Sequence, residues 1–175
     1  MNLGHGLHDF SRHNAWATEQ VITYCKGLDE STLNREMPGT YGTINTTLRH
    51  YINSEASYLF RISEVWPEYP WNLEKDIVAL DVLQERAAML AAAWEQFLAG
   101  DVDTEKPGEA PGDKGEIFAV PTGVFIAQAF HHGSEHRAQV SSILGTLGYE
   151  PPDVSAWGYA FATGRWTQTQ EPNRS

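Results

Sequence analysis

Cysteine is almost absent: Cys25 stands alone in 175 residues. An intramolecular disulfide or a cysteine-rich zinc site is therefore excluded, which suits a reducing compartment. Basic charge is scarce too, with 12 Lys and Arg against 23 Asp and Glu and a formal net charge of −11. That excess repels phosphate backbones and no basic stripe offsets it, so nucleic acid is not expected as a partner. Long apolar runs are missing. The longest, from Ala87 to Trp94, falls far short of the ~20 residues that cross a bilayer. The opening stretch MNLGHGLHDF has neither the basic nor the apolar region of a secretory signal. These absences predict a cytoplasmic chain with no membrane partner. The length fits one domain, since single cores commonly serve roughly 100–200 residues. No repeat or long linker divides it, so a single domain is expected over 1–166, with a polar tail over 167–175.

Helical periodicity dominates what is present. A first helix is predicted from about Leu7 to Leu28, with Leu7, Phe10, Asn14, Ala17, Val21 and Leu28 on one face. Met37-Pro38-Gly39-Thr40 reads as a turn. A second helix from about Thr43 to Trp66 carries Ile44, Leu48, Ile52, Leu59 and Ile62 as its apolar stripe. The third is expected to start at Asp81, which has capping-box spacing to Gln84, and to stop at Gly100. Leu83, Ala87, Leu90, Trp94 and Phe97 form its buried face. From Asp101 to Val120 the periodicity fails, and a hairpin of segments near Val102–Glu105 and Glu116–Val120 competes with a plain loop. The fourth helix is predicted from about Thr122 to Leu147, capped by Gly148 and stopped by Pro151-Pro152. A short helix within Asp153–Trp166 closes one end. The expected class is all-α: a four-helix bundle with a hairpin or loop insertion between its third and fourth helices and a short C-terminal helical segment.

The histidines are the chemical signal. His132 and His136 are four apart, so both project from one face with Cβ atoms ~5–6 Å apart. That face continues through Phe125, Ala129, Val140, Ile143 and Leu147, so two imidazoles occupy core positions. Buried imidazoles need partners. A shared metal ion supplies one answer, and hydrogen bonds to backbone or carboxylates supply another. His50 lies on the second helix among Thr43, Thr46, Thr47, Asn53, Ser54 and Ser57. Such a stripe either lines a watered pocket or forms a solvated face, and Arg61 on the same line favours the latter. His131 points about 100° away from His132 and reads as a bystander or as a support to the ligands rather than a ligand itself. His5, His8 and His13 read as surface residues, and Cys25 as a small core residue.

The stretches TYGTINTTLRHYINSEASYL and FHHGSEHRAQVSSILGTLGYEPPD, with His13-Asn14-Ala15-Trp16-Ala17, resemble the DinB-like helical-bundle proteins, a family related to bacterial thiol S-transferases and damage-inducible proteins. The second stretch is similar to the family pattern His-x-x-x-His-Arg-x-Gln followed by a Gly-Tyr-x-Pro-Pro turn. The resemblance implies a four-helix bundle, commonly dimeric, with a divalent metal on three histidines that match His50, His132 and His136. Glu135 stands where many members have another histidine, and Ala138 where glycine is frequent.

Three imidazoles would leave the ion a positive charge and an open position, as in catalytic sites. Two reactions on a small-molecule substrate follow: attack by a metal-activated low-molecular-weight thiol, or hydrolysis by metal-activated water. A non-catalytic, metal-clamped module is the competing class. Imidazoles suit zinc, nickel, iron or copper; zinc or nickel is expected first, with iron or manganese behind them. Glu135 is the neighbouring carboxylate for acid–base or supporting duty, weighed against a solvent-facing glutamate. Arg137 and Gln139 read as structural hydrogen-bonding residues. The six tryptophans and seven tyrosines exceed what a small bundle core needs. Trp66, Trp71 and Trp157 therefore point to a pocket mouth or a homodimer face.

Overall fold

The computed structural model describes residues 3–63 and 77–169. Among them the chain is mostly helical, with α1 (Leu3–Cys25), α2 (Glu30–Leu33), α3 (Ile44–Ser63), α4 (Leu80–Leu98), α5 (Thr122–Thr146) and α6 (Ala156–Ala162). An antiparallel hairpin, β1 (Pro107–Pro111) and β2 (Ile117–Pro121), links α4 to α5. The four long helices enclose one core: α1 packs on α4 and α5, and α3 packs on the same two. Val21, Ile22, Leu48, Ile52, Leu83, Leu90, Trp94, Ile143 and Leu144 meet inside it. Burying each aliphatic side chain contributes about 1.5–3 kcal/mol, which holds α3 firmly against α5. No helix among the described residues is long and apolar enough to cross a membrane.

Several expectations need correction. α4 starts at Leu80 after Ala79, with no side-chain cap. Asp81 and Gln84 do not form a box because Lys26, just beyond α1, engages both of them. The first strand lies at Pro107–Pro111, not at Val102–Glu105. Its prolines are tolerated for a register reason. Bonds from Gly112 N–H to Glu116 O (2.7 Å) and from Thr122 N–H to Lys106 O (2.9 Å) bracket the ladder. Given the pairing of Pro107 with Pro121 and Pro111 with Ile117, both prolines sit where the backbone faces away from β2 and no donor is required. Gly108 is buried between them, and a Cβ there would stand 2.9 Å from both Arg61 O and Phe125 Cε2.

α1 begins and ends earlier than its periodicity predicts, and a short helix, α2, follows it. Asp29 caps α2 by accepting from Thr32 N–H at 2.9 Å. Phe10 is not in the core but 64% exposed. The buried face of α1 runs through Ser11, Asn14, Ala17, Thr18, Val21 and Cys25, and Phe10 falls instead on an open groove between α1, α5 and α6. The short C-terminal helix falls within the expected segment and is capped by Ser155, whose oxygen accepts from Gly158 N–H. The stop after α5 is as predicted. Gly148 has φ 85°, and Tyr149 N–H donates to Leu144 O at 3.0 Å, a Schellman closure. Trp66 and Trp71 lie outside the described residues.

Candidate metal centre

α5 presents His132 and His136 one turn apart, with their Nε2 atoms separated by 3.1 Å. α3, packed alongside, brings the ring of His50 to 5.1 Å from that of His132 and 4.8 Å from that of His136. One nitrogen from each ring lies within 4.8 Å of the others. Two imidazoles on one tetrahedral ion, each ~2.0–2.1 Å away, would have nitrogens about 3.3 Å apart, so the α5 pair is already at ligating separation. Nδ1 of His132 is buried and has no hydrogen-bond partner among the described residues. The three histidines could therefore hold a metal ion between α3 and α5.

Electrostatics favour the ligating form. Burial, and then the neighbouring charges of His136, His132 and Arg49, lower the pKa of His50 to about 4. His132 is also lowered, first by burial and then by His136. Neutral rings keep a lone pair for a cation. The threonine stripe around His50 is only partly solvated: Thr43 and Thr47 are buried, and Thr43 Oγ1 accepts from Thr46 N–H at the start of α3.

Aromatic rings surround the centre. Tyr41 stacks on His50 at 3.9 Å and 16°. Tyr58 meets His132 edge-on at 5.8 Å, and the fully buried Tyr51 lies parallel to His136 at 6.4 Å. Gln139 Oε1 lies 3.1 Å from His136 Nδ1 and 3.0 Å from Tyr41 N–H.

Glu135 is not brought to this cluster. It is exposed on the outer face of α5 and pairs with His131 at 3.4 Å. His8 lies 3.7 Å from Glu95. His13 is half-buried rather than superficial, with Nε2 bonded to Val154 O at 2.9 Å and its ring beside Trp16 and Tyr159.

Behind His136 lies a buried polar bridge that periodicity did not reveal. Arg137 Nη1 donates to Asn14 Oδ1 at 2.8 Å and to Thr18 Oγ1 at 3.2 Å. Asn14 Nδ2 in turn donates to both oxygens of Glu55 at 3.0 Å. Asn14 thus joins a buried cation on α5 to a buried carboxyl on α3. Burial raises the Glu55 pKa to about 7, against the opposing pull of Asn14 and then Arg137. Gly133 admits the bridge, since a Cβ there would stand 2.9 Å from Asn14 Oδ1. The missed signal was Glu55 itself, in the gap of the stripe between Ile52 and Leu59.

The sequence profile of the DinB family matches residues 2–172. The chain belongs to the DinB family. It is also similar to Protein DinB of Bacillus subtilis (strain 168), at 18% identity over 162 residues, covering 86% of this chain and 91% of that protein. The three-histidine cluster thus sits within a DinB family domain that spans nearly the whole chain.

Proposed function

We propose that this DinB family protein is a four-helix bundle that holds one divalent transition ion on His50, His132 and His136 and uses it on a small molecule. The observation that carries the reading is the convergence of three imidazoles from two packed helices, with His50 and His132 still half-exposed. A closed structural site would seal its ligands, whereas a partly open one leaves room for a further ligand. When bound, the ion supplies positive charge that favours a thiolate or deprotonated water over the neutral form. The favoured reaction is transfer of a low-molecular-weight thiol to an electrophilic substrate, with hydrolysis as the second. The imidazoles bind, Tyr41 covers His50, and Tyr58 borders His132. Zinc or nickel is the expected ion. The exposed Phe10, Trp157, Phe161 and Trp166 support a homodimer; a monomer at high concentration in sedimentation would contradict that part.

Elemental analysis of untagged protein tests the centre. About one ion per chain is expected, lost in His50→Ala and in His132→Ala while helical content persists. Metal content unchanged in His50→Ala refutes the three-histidine centre. Azide or thiol binding to the loaded protein supports an open site. A domain that unfolds on metal removal and admits no exogenous ligand supports the non-catalytic clamp.

A further inference from the structure

Gln139 lies one turn beyond His136 on α5, and its amide oxygen makes two contacts to groups near the centre. The backbone N–H of Tyr41 is 3.0 Å from that atom. A backbone N–H only donates, so the atom must be the oxygen, and the orientation of the amide follows without ambiguity. The same oxygen is 3.1 Å from His136 Nδ1. An amide oxygen only accepts, so Nδ1 carries the ring proton. In a neutral ring Nε2 then holds the lone pair, and Nε2 is the nitrogen that faces His132 Nε2 at 3.1 Å.

The second contact acts on the other helix. Tyr41 belongs to the loop between α2 and α3, and its ring lies flat on His50 at 3.9 Å. The Gln139 bond ties this loop to α5, across 98 positions of sequence. A single oxygen therefore holds the tautomer of an α5 ligand and the cover over the α3 ligand. His132 has no equivalent support, because its Nδ1 is buried without a hydrogen-bond partner among the described residues.

We infer that Gln139 is a positioning residue of the three-histidine centre, setting His136 Nε2 as an acceptor and pinning Tyr41 across His50. This rests on the metal reading above and deepens it. Partners of this kind raise ligand basicity and remove the cost of choosing a ring orientation, and losing them weakens metal affinity about 10–100-fold.

The test uses the full chain, zinc alone, and the variants Gln139→Leu and Gln139→Glu. Competition against a chelating indicator should show zinc binding about 10–100-fold weaker in Gln139→Leu. Gln139→Glu keeps an acceptor oxygen and should retain wild-type affinity or exceed it. Long-range 1H–15N spectra of the metal-free protein supply a readout independent of the ion. Wild-type His136 should appear as the Nδ1–H tautomer, and Gln139→Leu should lose that preference. Far-UV spectra that coincide for all three proteins confine the effect to the centre. Observation of His136 as the Nε2–H tautomer in the wild type overturns the inference with no variant needed. Undiminished zinc affinity in a folded Gln139→Leu does so as well. A wild type that takes up no zinc instead overturns the metal reading, while the tautomer still decides the role of Gln139.

Discussion

Glu55→Gln replaces a buried, titratable carboxyl with a neutral amide of nearly equal volume that retains one oxygen for Asn14 Nδ2. Glu55 is 5% exposed, and burial raises its pKa from the ordinary 4.5 to about 7. An unfolded chain releases this proton near pH 4.5, whereas the folded chain keeps it to about pH 7. Stability from the protonated form is thus fully present below the unfolded value and is lost as pH rises through the folded one. At about 1.4 kcal/mol per proton per pH unit, the loss amounts to about 3 kcal/mol. His50 runs the opposite way. Its pKa is lowered from 6.5 to about 4, so its contribution grows as pH rises towards 6.5, and the wild-type curve alone mixes the two. Subtracting the variant isolates Glu55. Urea unfolding of both proteins in chelator, from about pH 4 to pH 8.5, should show the wild-type advantage shrinking by about 3 kcal/mol. A difference that is flat with pH would refute the reasoning. It would mean that Arg137, acting through Asn14, keeps Glu55 ionised throughout.

The same structure makes three further predictions. Asn14→Leu removes the amide that links Arg137 to Glu55, leaving Arg137 the hydroxyls of Thr18 and Ser134, and should lower unfolding stability by about 3–5 kcal/mol in urea titration; a loss below about 1 kcal/mol would show that the bridge is dispensable. Gly108→Ala pushes a methyl against Arg61 O and Phe125 and should cost about 1–3 kcal/mol. Gly145→Ala, with no atom within 4 Å of the new methyl, should instead stabilise α5 by about 0.5–1 kcal/mol; melting temperatures that move in the same direction for both would contradict the packing argument. Cys25 is fully buried, and burial raises its thiol pKa to about 12. A thiol reagent should therefore label it only at the rate at which the domain opens, and rapid labelling of the native protein would place Cys25 nearer the surface.

Local pattern was enough for the long helices, because an amphipathic stripe of period 3.6 depends on near neighbours alone. The i, i+4 spacing of His132 and His136 was legible for the same reason, as was the Gly148 stop. Features set by a partner distant in sequence were not. Asp81 and Gln84 have capping-box spacing, yet Lys26 recruits both from beyond α1. Phe10 matches the apolar stripe, yet it lies exposed on an open groove between α1, α5 and α6. Asn14 stands on the periodic face of one helix and Glu55 in a gap of another's stripe, and only packing brings their polar atoms to 3.0 Å. His50 is the sharpest case. Its own helix left it between pocket and solvent, and only the packing of α3 on α5 turns it towards His132 and His136. Near-neighbour periodicity was sufficient to show that four long helices form, although the ends of α1 and the place of Phe10 shift in the folded protein. Tertiary structure alone decided which polar side chains share an environment, because burial, pKa and ligation depend on distances between segments that no local periodicity encodes.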